Sequence, residues 1–286
     1  MFSPSSAAKR EKEQRFQMLT IAIAVFVGLA TGFGLALGDV LGYGWSSFCG
    51  VLAFGTVQMG LGMYMQKKVK AVMMSVQTVL TEGQRRLQAK AAHWQVRQPG
   101  SIKEVQNEMA RDQRALVMEA LAQTEPLKKF TLWVPLMGRQ IATAQMQLRW
   151  MIKDFKAVDA LMPKALFLDP LTVSMKLARM QMANAPLADM EKVYRKGVAR
   201  LKYNQNVLLA ATWSWILVKR GDVDGAFKAL NAALKNSDNE TLKANREHLA
   251  NNRVAHFSNA GIGDQWYALH LEEPKIRMQR PRMQWR

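Results

Sequence analysis

The sequence predicts an all-α protein, in which an N-terminal transmembrane helical hairpin leads into a cytoplasmic α-solenoid. Two uncharged stretches open the case: residues 16–38 and 40–66 carry no charged side chain and are separated only by Asp39. Each exceeds the about 20 residues that a helix needs to cross hydrocarbon. Beyond them, apolar residues recur at helical spacing and no stretch shows sustained strand alternation. Short helical segments then follow one another in pairs. The expected divisions are a basic tail (1–17), the hairpin (18–65), a helical stalk (66–133), paired helices (134–252) and an irregular basic tail (253–286).

The first stretch is too long for the apolar part of a signal peptide, and a second follows almost at once. Lys9, Arg10, Lys12 and Arg15 precede the pair, and Lys67, Lys68 and Lys70 follow it. The preference for positive charge on the cytoplasmic side therefore puts both termini inside and the turn at Gly38–Gly44 outside. Tyr43 and Trp45 fall at the outer interface and Tyr64 at the inner one. Ala24, Gly28, Gly32 and Ala36 recur every four residues, and Ser46, Gly50 and Ala53 provide a comparable face on the second span. Small residues so spaced let two helices approach closely, within the hairpin first and against another membrane protein second. Neither span carries an ionisable group of the kind a transport path requires.

The stalk continues the second span, with Val69, Met73, Val76 and Leu80 in helical register, until Gln98-Pro99-Gly100 breaks it. Ser101 and Glu104 have capping-box spacing and start the next helix. Glu125-Pro126 ends it, although residues 102–133 have room for a degenerate helix pair. A further helix is expected over Gly138–Lys153.

From there the sequence repeats. Residues 153–170, 185–201 and the segment from Arg220 each contain a turn followed by a second helix. Their small residues Ala165, Gly197 and Ala233 stand 32 and 36 residues apart. Phe155, Ala165 and the Leu168-Asp169-Pro170 ending mark the first unit. Tyr194 and Gly197 mark the second, and Gly221-Asp222, Ala226 and Ala233 the third. With these features the chain resembles the tetratricopeptide repeat family over about 135–252, including a terminal helix at Thr241–Asn252. Pro163 departs from the pattern by interrupting the first unit's second helix. A helix pair cannot bury its apolar side alone, whereas stacked pairs share one core. The resemblance implies a scaffold whose groove holds a protein or peptide.

Tyr194, Trp215, Lys219 and Lys243 are the candidate partner-contacting residues, chosen because they flank adjacent repeats. Trp213 and Trp215, two positions apart, point to different sides of their helix; core packing of both is the first expectation, and one buried with the other reaching a groove the second. The polar terminal helix fits a solvent-facing cap with solvated Lys243, Asn245 and Arg246, which as an alternative offer donors to a carboxylate. After Asn252 the pattern fades into a strand-like tail, in which Trp266 and Tyr267 are placed to pin it down. A basic end follows: Lys275, Arg277, Arg280, Arg282, Trp285 and Arg286.

The net charge of +18 favours acidic partners, among which anionic lipid headgroups beside Lys67–Lys70 come first. No nucleic-acid recognition module is evident, so nucleic acid is a minor expectation. Cys49, the single cysteine, lies in the second span and permits no disulfide or thiolate metal site. His93, His248, His256 and His270 are scattered, and Gly261-Ile262-Gly263 lacks the spacing of a dinucleotide loop. No catalytic, cofactor or metal site is expected. The expected role is a scaffold at a bacterial-type inner membrane, binding a protein partner without catalysis. Its rivals are an assembly subunit of a larger membrane complex, docking through the hairpin, and a basic membrane-associated nucleic-acid binder.

Overall fold

The computed structural model describes residues 19–38, 42–96, 101–131, 133–134, 136–201 and 206–274. The charged N-terminal tail, Asp39, the Gln98-Pro99-Gly100 break and the basic end from Lys275 to Arg286 lie outside the described residues. Among the described residues all regular structure is helical. The chain divides into two compact units, up to Leu166 and from Phe167.

The first unit begins with α1 (Leu19–Leu37) and α2 (Tyr43–Val96), which pack against each other. Both are long and apolar enough, by length and composition, to cross a membrane. α2 is one helix of 54 residues, which at 1.5 Å per residue makes it about 80 Å long. No glycine or proline break separates its apolar half from the polar half that follows Lys67. α3 (Ile102–Thr124) starts at Ser101, whose side chain accepts from the backbone amide of Lys103 while Glu104 returns a bond to the Ser101 amide. The residues expected to hold a degenerate helix pair instead form this single helix. It lies against α2, then tightens into a 3-10 segment (Glu125–Phe130) where Pro126 removes an amide donor.

α4 (Met137–Met151) and α5 (Phe155–Leu161) complete the unit. Val76 of α2, Val117, Ala120 and Leu121 of α3, and Leu148 of α4 share one core. A second core joins Leu127, Met137 and Ile141 to Val69, Val72 and Met73 of α2. Asp154 caps α5 by accepting from the Ala157 amide. Pro163 shortens α5: a 3-10 turn (Met162–Lys164) follows, and Ala165 is buried in extended backbone beyond it. Ala165 therefore does not hold the helical position expected from the repeat alignment.

The second unit runs α6 (Pro170–Met182), α7 (Leu187–Arg200), α8 (Val207–Lys219), α9 (Val223–Leu234) and α10 (Glu240–Ala250). Asp169, Asp222 and Asn239 cap α6, α9 and α10 through their side-chain oxygens, each satisfying an otherwise orphaned amide. α6 packs on α7 and on α8, and α8 packs on α9, which in turn meets α10. A Cβ added to Gly197 of α7 would lie 2.8 Å from a Leu209 methyl and 2.9 Å from a Val173 methyl. A larger residue there would have to displace both methyls, so glycine suits the close packing of α6 and α8 on α7.

The described residues after α10, as far as Pro274, are not strand-like. They form 3-10 turns at Val254–His256 and Ala260–Ile262, then a single helical turn, α11 (Asp264–Tyr267). Trp266 and Leu269 are fully buried, so this segment completes the core of the second unit. The sequence pattern fades here because a single turn is too short to repeat any period.

Candidate functional site

Two groups of residues invite a functional reading, one in each unit. In the hairpin the small residues form the seam between α1 and α2. A Cβ on Gly50 would lie 2.7 Å from the Gly28 carbonyl oxygen and 3.2 Å from the Gly32 Cα. One on Gly28 would lie 2.9 Å from both the Gly50 carbonyl oxygen and the Phe54 Cβ. The backbones meet directly, and any larger side chain would part them. Ala24 and Ser46 are buried in this seam, while Ala36 and Ala53 are half-buried toward its edges.

The seam is surrounded by outward-facing apolar groups. Phe26 is 73% exposed, Phe33 66% and Val51 69%. Polar side chains on these helices bond inward to their own backbone: Thr31 donates to the Val27 carbonyl at 2.8 Å, Ser47 to Tyr43 at 2.9 Å, and Thr56 to Ala53 at 3.0 Å. Such internal satisfaction is what an apolar surrounding demands. Among the described hairpin residues, Gln58 alone leaves a buried side-chain oxygen without a partner.

In the second unit α8 is buried from Leu208 to Leu217. Trp213 and Trp215 do leave on different sides, and both are packed. Trp213 stacks on Tyr194 of α7, with ring centres 5.2 Å apart and planes 16° apart. Burial raises the Tyr194 phenol above its ordinary pKa of 10.0. Trp215 meets Trp266 edge-on at 5.9 Å. Both indoles then donate to one carboxylate: Trp215 to Glu272 Oε1 at 2.7 Å and Trp266 to Glu272 Oε2 at 2.9 Å. Lys219 is exposed and sits 5.3 Å from the centre of the Trp215 ring.

Lys243 belongs to a different arrangement. Asp238 and then Glu240 raise its pKa by hydrogen bonding to its ammonium. Asn245 is buried rather than offered to a ligand: it donates to Asn259 at 2.8 Å, and Asn259 donates to the Ala211 carbonyl at 2.9 Å. Of the four candidates, Trp215 and Lys219 are brought together, Tyr194 joins them only through α8, and Lys243 is held by its own acidic neighbours.

The structure adds a feature that sequence reasoning missed. Lys176 of α6 is half-buried, 4.7 Å from the Phe167 ring centre. Its pKa is lowered, first by burial and then by the like charge of Lys196 on α7. Arg200, one turn further along α7, reaches the Phe167 carbonyl at 3.5 Å. These cations lie on two helices, and no local pattern in either segment announces the cluster. Chemically it suits an acidic group. Among the described residues no three His, Cys, Asp or Glu side chains gather as metal ligands would.

No protein-family model matches the chain, and neither a curated protein nor a solved structure matches it. The tetratricopeptide resemblance accordingly rests on this chain's own residues.

Proposed function

We propose that the protein is a membrane-tethered cytoplasmic scaffold, holding a protein or peptide partner on a tetratricopeptide-like stack of helices without any chemical step. The observation that carries this reading is the continuity of α2. One unbroken helix leads from an apolar segment with outward-facing side chains into the core formed with α3 and α4. A helix apolar on all sides and left uncovered is at home in lipid, and a rigid continuation from it fixes a soluble unit at the membrane surface.

The contact order of α6 to α9 favours the stacked-pair reading of the second unit. Each helix meets its sequence neighbour, and α6 also meets α8. Tyr194 and Trp215 then shape the stack, while Lys219, Lys176 and Lys196 present positive charge to acidic groups of the partner. In this reading the membrane is a bacterial-type inner membrane, with both termini on the cytoplasmic side.

A second reading, an assembly subunit docking through its hairpin, is favoured by one observation. Cβ positions at Gly34, Gly55, Gly60 and Gly62 meet nothing within 4 Å, so small residues remain outside the seam. Photo-crosslinking of the intact protein in its own membrane, with and without nuclease, separates the readings. A recurrent protein joined to residues 135–252 regardless of nuclease supports the scaffold. Crosslinks confined to 19–66 support docking through the hairpin, and partners lost with nucleic acid would move the function to nucleic-acid contact.

A further inference from the structure

We infer that the turn between α3 and α4, through its described residues Glu125–Thr131, Trp133, Val134 and Leu136, is a third membrane contact, which lies on the anionic phospholipid headgroups beside the hairpin. This rests on reading α1 and α2 as spans. Residues on α1 and α2 pair in opposite order, Gly28 facing Gly50 and Phe54 while Gly32 faces Ser46 and Gly50. The helices are therefore antiparallel, and the start of α1 lies at the depth where the apolar part of α2 ends.

The turn touches both of those places. Leu127 is fully buried beside Val69, Val72 and Met73, immediately after Lys67 and Lys68 of α2. From the other side, the Thr20 hydroxyl at the start of α1 donates to the Trp133 carbonyl at 2.9 Å. Two independent contacts thus hold the turn at the level of the inner headgroups.

The surface it offers suits that level. Lys128 and Lys129 are exposed, as are Lys67, Lys68 and Lys70 on the adjoining turn of α2. Glu125, paired with Lys128, is the acid of this turn. Phe130 and Trp133 are half-exposed, and Leu136 is 50% exposed in left-handed backbone with φ 65°. Phe130 packs in part on the Leu127 core, so Trp133 and Leu136 are the apolar groups free to insert; with five lysines around them they combine charge attraction with shallow apolar insertion. Because the hairpin already supplies the tether, the turn sets how the first unit meets the surface.

The test is depth measurement on the full-length protein in vesicles, with Cys49→Ser as background. Fluorescent labels are attached singly at Leu136→Cys, Phe33→Cys and Gln106→Cys. Gln106 is an exposed position at the far end of α3. Quenching by brominated lipid and by aqueous iodide is compared in phosphatidylcholine with and without phosphatidylglycerol. The expected result is deep quenching at 33, aqueous quenching at 106, and lipid quenching at 136 that strengthens with phosphatidylglycerol. Lys128→Gln with Lys129→Gln should remove that strengthening and leave position 33 unchanged. A deep position 33 with an aqueous position 136 overturns the third contact and spares the hairpin. Lipid quenching at 136 that ignores phosphatidylglycerol overturns the headgroup assignment. An aqueous position 33 overturns the membrane reading itself.

Discussion

Helices α1 and α8 are both apolar on every side, and they meet opposite fates. From Leu208 to Leu217 every residue of α8 is buried, while most of α1 remains uncovered, with Phe26 and Phe33 among its exposed groups. α8 has 13 residues and α1 has 19. The shorter helix can be wrapped by α6, α7, α9 and α11, as it is here. Among the described residues the longer one packs mainly on α2, which it meets along a glycine seam. Apolarity without charge therefore leads to two outcomes, a helix enclosed in the core or one left uncovered, and a lipid surrounding for the second belongs to the proposed membrane reading.

The difference can be broken at its strongest point first. Replacing Trp266 by Ala empties a fully buried site under α8 and should cost about 3–5 kcal/mol of stability. The denaturant midpoint of the detergent-solubilised protein would record it. Gly50→Leu acts by intrusion instead. With the Gly28 carbonyl in the way, it should cost about 1–3 kcal/mol or more and part the helices. Disulfide trapping between cysteines placed at Ala24 and Ala53 would report the separation as lost yield.

Next comes Glu272→Gln, which turns an amide donor toward one of two indole donors. An unmatched group of that kind costs about 1–3 kcal/mol, seen as a red shift of tryptophan emission on local opening. The alkaline limb offers a subtler check. The unfolded Tyr194 phenol ionises near 10.0 while the folded one keeps its proton. The folded state then holds more protons, so stability falls as pH rises past that value. Lys176 acts in the opposite direction: its lowered pKa lets the folded state lose its proton first, so stability rises toward 10.5. Tyr194→Phe should remove the fall without altering the Lys176 contribution, as a midpoint series across that range would show. Smallest of all, Phe33→Ala should change folded-state stability by within about 0.5 kcal/mol, since most of that side chain is left exposed by the described residues.

Much of the local structure was legible because its causes are local. Ser101 and Glu104 lie within one turn of each other, so spacing alone reveals their bonds, whereas Asp169, read as the ending of the first unit, proves to cap the next helix. The small residues of α1 and α2 were legible as a seam for the same reason, since a four-residue period marks one helical face. Core packing of Trp213 and Trp215 was the stronger expectation and both are buried, but the hydrogen-bond partner of Trp215 was not legible. That partner, Glu272, is 57 positions away in a segment too short to show any period. Lys176 and Lys196 were missed because each belongs to an ordinary amphipathic helix, and only the packing of α6 on α7 turns two lysines into a cluster.

Composition and periodicity were sufficient for the helical class, the two apolar stretches and the starts of α3, α4 and α10. All of these depend on residues within a few turns of one another. Folding decided which apolar helix is enclosed, that Asn245 faces inward, and that the α3–α4 turn comes back to the start of α1. Those outcomes depend on contacts between distant segments, and such contacts leave no period in the chain because each partner supplies only half of the arrangement.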